Sequence, residues 1–229
     1  AYVGFLQTSI PNIAGHLVAA SIMSAPAALA LSKVIWPMPA DAMQDDEQIA
    51  MSVEKPYKNV IEAAAAGATE GMKLVLNVLA MLVAFVGLIA MVNWGLGLIP
   101  FGDEPLSLQR ILGWVFAPFA FFMGVPWGES GLVGTLLGEK LVLTEFIAYL
   151  HLAEIVGQAD PALSERSAII ASYALCGFAN FASIGIQIGG IGGIAPKRIP
   201  ELSAMGLRAM FAGTLAAFMT ATVAGVLIG

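Results

Sequence analysis

The chain has 229 residues, 59% of them hydrophobic and 11% charged, with a formal net charge of −6 and a mean hydropathy of +0.85. Soluble domains carry roughly 25% charged residues, so this composition excludes a water-soluble surface and points to an all-α integral membrane protein. No basic cluster points to nucleic acid, the single cysteine (Cys176) excludes an intrachain disulfide, and His16 and His151, the only histidines, are too few for a His-based metal cluster.

The chain opens Ala-Tyr-Val in mid-hydrophobic pattern, without Met or a basic leader. It is expected to be a fragment whose N-terminal part lies upstream. A bilayer-crossing helix needs about 20 mostly apolar residues. Residues 1–10 are too short and read as the tail of a truncated helix, ended by a turn at Pro11-Asn12. Residues 13–36 can span; Pro26 is expected to kink them, with Ser21 and Ser24 bonding the freed carbonyls and Lys33 and Trp36 anchoring the interface. Residues 37–71 read as a polar loop followed by a short interfacial helix from 60. The longest apolar run is 72–99, with Asn77 and Asn93 as helix-contact residues.

Residues 106–126, with Arg110, Pro118 and many aromatics, read as an interfacial helix or a kinked span. The stretch 129–157 holds Glu139, Lys140, Glu145, His151 and Glu154. A carboxylate at mid-depth on a straight lipid-facing helix costs at least ~2.5 kcal/mol. A re-entrant helical hairpin packed inside protein avoids that cost, with its tip near LVLTEF (141–146) and Glu139 and Lys140 toward its interface end. Residues 167–195 and 203–228 form the last two spans, the first of them a broken helix. Lys55, Lys58, Lys73, Lys197, Arg198 and Arg208 place their loops in the cytoplasm. The C-terminus then lies outside, provided the hairpin does not cross.

Residues 176–196 read CGFANFASIGIQIGGIGGIAP. Asn180, Ser183 and Gln187, spaced i, i+3, i+7, share one face if the segment is a helix. Gly185, Gly189 and Gly193 permit close helix approach and lower the cost of unwinding. Asn180 and Ser183 are either interhelical glue, worth ~0.6 kcal/mol each, or solute contacts at a broken helix. Gln187 reads as structural. Glu145 is either a carboxylate paired with Lys140 or an amide, or a functional group, the default for an intramembrane acid. His151 is either a structural group or a proton relay. GxSxG, HExxH and phosphate-loop motifs are absent from the sequence, and no enzyme is expected.

Five stretches together resemble the concentrative nucleoside transporters: AASIMSAPAALALSK (19–33), GMKLVLNVLAMLVAFVGLIAMVN (71–93), GWVFAPFAFFMGVPW (113–127), GEKLVLTEFIAY (138–149) and 176–196. The resemblance covers essentially the whole chain. It implies a sodium- or proton-coupled nucleoside importer, multi-pass in the plasma (inner) membrane, built as a homotrimer. A transport part with two re-entrant hairpins and two broken helices would move against a scaffold part. Thr144-Glu145-Phe146 matches the family's hairpin-tip Asn-Glu-Phe, with Thr in place of Asn. Phe178-x-Asn180-x-x-Ser183 matches its broken-helix motif in full.

The resemblance therefore implies ribose binding by Glu145, Phe178, Asn180 and Ser183, and trimer contacts on the 72–99 scaffold helix. It places the family's base-reading Gly-Gln-Thr-Glu motif and its sodium ligands upstream of residue 1. No metal ligand is assigned here, and transport by the chain alone is not expected. Two other functions compete: a structural or assembly module, and a membrane enzyme on a lipid-linked substrate. The enzyme needs a second carboxylate or a His beside Glu145, and His151 faces away at helical spacing.

Overall fold

Every described element of the computed structural model is helical; it describes residues 2–37, 59–100 and 105–228. The chain order is α1 (Tyr2–Leu6), α2 (Ile13–Ile35), α3 (Val60–Gly97), α4 (Leu108–Phe122), α5 (Trp127–Val142), α6 (Glu145–Val156), α7 (Glu165–Leu175), α8 (Phe181–Ile194), a 3₁₀ turn (Pro196–Arg198) and α9 (Ile199–Ile228). Most of the expected polar loop and the acidic turn at 101–104 lie outside the described residues.

Two expectations change at once. The surface helix from 60 and the apolar run from 72 are one helix, α3, of 38 residues. Nothing at 71–72 breaks it: Gly71 lacks a following Pro and a polar cap, and the lone Gly costs only ~1 kcal/mol. Asn59 starts α3 by accepting from the Glu62 N–H at 2.8 Å. Helix α2 is continuous through Pro26, and what changes there is the role of the two serines. Ser21 and Ser24 bond the carbonyls of Leu17 and Ala20, one turn before themselves. The carbonyl that Pro26 frees belongs to Ile22, beyond the i−4 reach of either hydroxyl.

Helix α7 is the centre of the packing, with nine of its 11 residues buried. It touches α2, α5, α6 and α9. Helices α2 and α9 run antiparallel, since Arg208 near the start of α9 lies over the Trp36 ring at the end of α2, 5.1 Å from its centroid. The 106–126 segment forms α4, which lies along α5. Glycines set that approach: a Cβ on Gly138 would sit 2.7 Å from the Gln109 carbonyl, and one on Gly113 would sit 2.9 Å from the Thr135 hydroxyl. Asn93 fastens α3 to the start of α4. Its Oδ1 accepts from the Leu108 N–H at 2.8 Å, and its Nδ2 donates to Gln109 Oε1 at 2.9 Å. For Asn77, only the backbone is described.

The 129–157 stretch is a helical hairpin. Its arms are α5 and α6, and its turn falls at Leu143-Thr144, within the expected tip. His151 Nδ1 on one arm lies 2.8 Å from Glu139 Oε2 on the other. Glu129 at the start of α5 accepts from the Ser164 N–H and hydroxyl at 3.1 and 2.9 Å, which closes the hairpin's base.

Candidate functional site

Two chain breaks meet at the centre. One is the hairpin turn between α5 and α6. The other separates α7 from α8 at 176–180, where Gly177 takes φ +139°, a conformation open to glycine and strained for other residues. A break leaves the last carbonyls of one helix and the first N–H groups of the next without helical partners. The hairpin turn supplies partners to both.

At the end of α7, Lys140 Nζ donates to the Ala174 carbonyl at 2.8 Å and the Tyr149 hydroxyl donates to the Ser172 carbonyl at 2.6 Å. Both side chains are fully buried. At the start of α8, Asn180 and Ser183 form a reciprocal cap. Asn180 Oδ1 accepts from the Ser183 N–H at 2.7 Å, and Ser183 Oγ accepts from the Asn180 N–H at 3.2 Å. The remaining hydrogen-bonding group of Asn180, Nδ2, donates to Glu145 Oε2 at 3.0 Å. The hydroxyl of Tyr2 donates to Glu145 Oε1 at 3.2 Å, and the Tyr2 ring stacks on Tyr149 at 4.4 Å between centroids.

The electrostatics follow from the helix ends. Glu145 is the first residue of α6 and reaches the N-cap of α8, so its carboxylate lies where two positive helix ends converge. Lys140 sits at the opposite, carbonyl end of α7. The hairpin tip thus presents one charge of each sign, each to the complementary helix end.

The expected site residues divide. Glu145 and Asn180 are 4% and 3% exposed and bonded to each other. Ser183 is buried and serves the cap, while Phe178 is 73% exposed. Phe178 and Ser183 line a cavity of about 420 Å³ between α2, α8 and α9, whose lining includes neither Glu145 nor Asn180. Asn180 has extended backbone and stands outside α8, so its amide turns back toward the hairpin. The shared helical face therefore holds only Ser183 and Gln187.

Lys140 also departs from expectation, being buried beside the tip and not toward an interface; the α7 carbonyls draw it in. Glu145 takes an amide and a phenol as partners, and has no ion pair with Lys140. His151 bonds Glu139 on the neighbouring arm. Tyr2 and Tyr149 were not singled out from sequence. Tyr149 carried a usable signal, a phenol one helical turn after an intramembrane carboxylate. Tyr2 carried none, because the hydrophobic run containing it is too short to set a helical frame. Among the described residues, no group of three or more His, Cys, Asp or Glu could hold a metal ion.

Helices interrupted in pairs inside an apolar bundle, with a buried carboxylate and amide facing each other across the breaks, are an arrangement that many membrane transporters use. A family model described as "Na+ dependent nucleoside transporter C-terminus" matches residues 16–225. The chain belongs to that family. It is 46% identical over 215 residues to the "Uncharacterized transporter YutK" of Bacillus subtilis, which covers 93% of this chain and 52% of the relative. It is 41% identical over 239 residues to the nucleoside permease NupC of Helicobacter pylori, covering 99% and 56%. With solute carrier family 28 member 3 of Homo sapiens it shares 41% over 243 residues, covering 99% and 34%.

Among solved structures, a CNTnw variant in an outward-facing state superposes with a TM-score of 0.82 at 39% identity, covering 100% of this chain and 54% of that one. CNTnw in an inward-facing substrate-bound state gives 0.75 at 41% identity, covering 100% and 54%. The chain thus spans about half the length of the bacterial relatives it matches, and about a third of the human one.

Proposed function

We propose that this chain is the ribose-binding, C-terminal side of an ion-coupled nucleoside importer, multi-pass in the plasma (inner) membrane and assembled as a homotrimer. The observation that carries this reading is the Glu145–Asn180 pair, a carboxylate and an amide 3.0 Å apart at the meeting of two chain breaks. The sugar hydroxyls of a nucleoside both donate and accept. A carboxylate that accepts and an amide that does both answer them, and a sugar lacking a hydroxyl leaves buried polar groups unpaired. Phe178 and Ser183 complete the ribose side, Phe178 through its exposed ring. The 129–157 hairpin enters the bilayer without crossing it, and α3 contributes to the scaffold.

The coupling ion, Na+ or H+, is cargo in this scheme. Its ligands are not assigned to residues of this chain.

Uptake of radiolabelled uridine and adenosine by the full-length gene product, in a host without nucleoside uptake of its own, tests the reading. Glu145→Gln and Asn180→Ala are expected to lower uptake at least about a hundredfold, with the protein still present in the membrane. Parental rates in both variants would reject the site.

A further inference from the structure

Among the described residues, one side-chain hydrogen bond joins the two arms of the hairpin, and it has no part in the site above. His151 Nδ1 on α6 lies 2.8 Å from Glu139 Oε2 on α5. An ionised carboxylate only accepts, so Nδ1 carries the hydrogen. Nε2 is then the atom that gains or loses a proton. Gaining one turns a neutral hydrogen bond into an ion pair between the same two atoms, roughly twice as strong. Histidine side chains change charge between about pH 5 and 8. The His151 side chain is 45% exposed and that of Glu139 is 15% exposed. Protons from solvent therefore reach the imidazole, while the carboxylate is mostly covered and little screened by salt.

We infer that Glu139 and His151 are positioning residues for Glu145, forming a proton-responsive clasp that sets the angle between the hairpin arms. This rests on the nucleoside reading above. Glu145 is the first residue of α6, and His151 follows it at about 9 Å along the helix axis. The Glu145–Asn180 contact of 3.0 Å has little slack, since a shift of about 1 Å takes it out of hydrogen-bond range. Tying α6 to α5 holds Glu145 against Asn180 before a solute arrives, and such preorganisation raises affinity. Losing the proton loosens the clasp and lowers affinity.

The surroundings of the pair single out His151 as its titrating member near neutral pH. Glu154, one turn beyond His151 and exposed, adds a second carboxylate that acts on Glu139. Elsewhere on the arms, Lys140 and Tyr149 bond the end of α7, Glu145 bonds Asn180, and Glu129 bonds Ser164. The elements packed against the arms are α1, α4, α7 and α8. From α1, Tyr2 bonds Glu145. On α4, Arg110 lies 5.8 Å from the centroid of the Trp114 ring. Glu165 begins α7, Arg166 bonds the carbonyls of Gly124 and Gly225, and Tyr173 meets His16 of α2. Cys176, just past α7, lies 3.9 Å from Ser21 Oγ. Helix α8 carries no titratable side chain.

Equilibrium binding of radiolabelled uridine and adenosine to the purified full-length gene product tests the inference. Detergent solution at fixed sodium, from about pH 6 to about pH 8, removes any effect of a proton gradient. The parent is expected to bind about fivefold more tightly at the acid end. His151→Gln keeps an N–H for Glu139 and cannot titrate. Its affinity is expected to stay within twofold across the range, near the parent's value at the alkaline end. Glu139→Gln removes the carboxylate and is expected to flatten the profile in the same way. A merely structural bond would alter affinity or stability without altering the pH dependence. Where one variant does not survive purification, the other decides.

A parent affinity that varies less than twofold over the range would overturn the clasp and leave the transporter reading standing. So would a pH dependence that survives in both variants, since it would belong to His16 or another group. Absence of nucleoside binding by the parent would reject the transporter reading, and the clasp's role with it.

Discussion

Glu145 is held by two neutral donors of different character. Asn180 Nδ2 is fixed because the same side chain caps α8, so moving it breaks the cap. The Tyr2 hydroxyl is half-buried and has no second protein partner. Removing it leaves one carboxylate oxygen short of a bond that water can supply. Tyr2→Phe is therefore expected to lower nucleoside uptake by less than tenfold, against near-complete loss in Glu145→Gln.

Tyr149 differs, because its acceptor is the buried Ser172 carbonyl at a helix end. Tyr149→Phe leaves that carbonyl unsatisfied, at a cost of about 1–3 kcal/mol. A lower melting temperature in detergent is expected; an unchanged one would show that α7's end has another partner. These contacts also mark how far sequence reaches at this scale. Glu145 and Asn180 stood out because motif and chemistry coincide there, and the structure bonds the two to each other while Phe178 faces the cavity. Lys140 did not stand out, since hydropathy ranks a lysine as exposed and cannot see the carbonyl end of α7 that satisfies it.

At the scale of elements, interruptions were easier to foresee than continuity. The hairpin turn was legible from the density of ionisable groups in an apolar run. A break within 167–195 was foreseen, but it falls at 176–180 and not among the glycines of 185–193, which lie inside unbroken α8. The unbroken course of α3 was not, because a change from polar to apolar composition along one helix resembles a boundary in sequence. Glycine contacts were sought on α8, yet the approach that joins α4 to α5 runs through Gly113 and Gly138. Small residues mark a close approach only once the facing helix is known.

One further junction depends on a single side chain. Arg166, at the start of α7, donates to the carbonyl of Gly124 in the α4–α5 turn and, at 2.7 Å, to that of Gly225 near the end of α9. Gly225 lies in the last described turn of α9. The guanidinium therefore ties three elements together at their ends and complements a helix C-terminus. Arg166→Ala is expected to destabilise the protein by about 2 kcal/mol. Arg166→Lys should recover only part, because an ammonium lacks the planar fork that serves both carbonyls. Thermal unfolding of the purified variants checks the order Arg above Lys above Ala; equal stability of Lys and Arg would show that charge alone suffices.

For the whole molecule, α9 and α3 set the relation to bilayer and to neighbouring copies. Arg208 over Trp36 marks one level of the bundle, as aromatic and basic pairs do at a membrane surface. From that level to its end, α9 runs about 20 residues, near the roughly 30 Å of a hydrocarbon core. Helix α3, at 38 residues, is longer than a perpendicular crossing needs. Its described packing is against α8 and α4, and it leaves Leu76, Leu79, Val83 and Val86 exposed. Their spacing of three and four residues forms one apolar stripe. Lipid or another copy of the chain can cover such a stripe.

The homotrimer proposed above commits to a second copy, and the chain's cysteine content makes a direct test practical. With Cys176, the single cysteine of this chain, and every cysteine outside it in the full-length gene product replaced by Ser, Val83→Cys places one thiol on the stripe. Oxidation in native membranes is expected to give a disulfide-linked dimer, the limit for a single thiol per chain. Trp114→Cys on α4, also exposed, is the comparison position and is expected to remain uncrosslinked. A monomeric Val83→Cys protein whose thiol is alkylated at the rate of a lipid-facing site would assign the stripe to lipid and remove α3 from the proposed assembly.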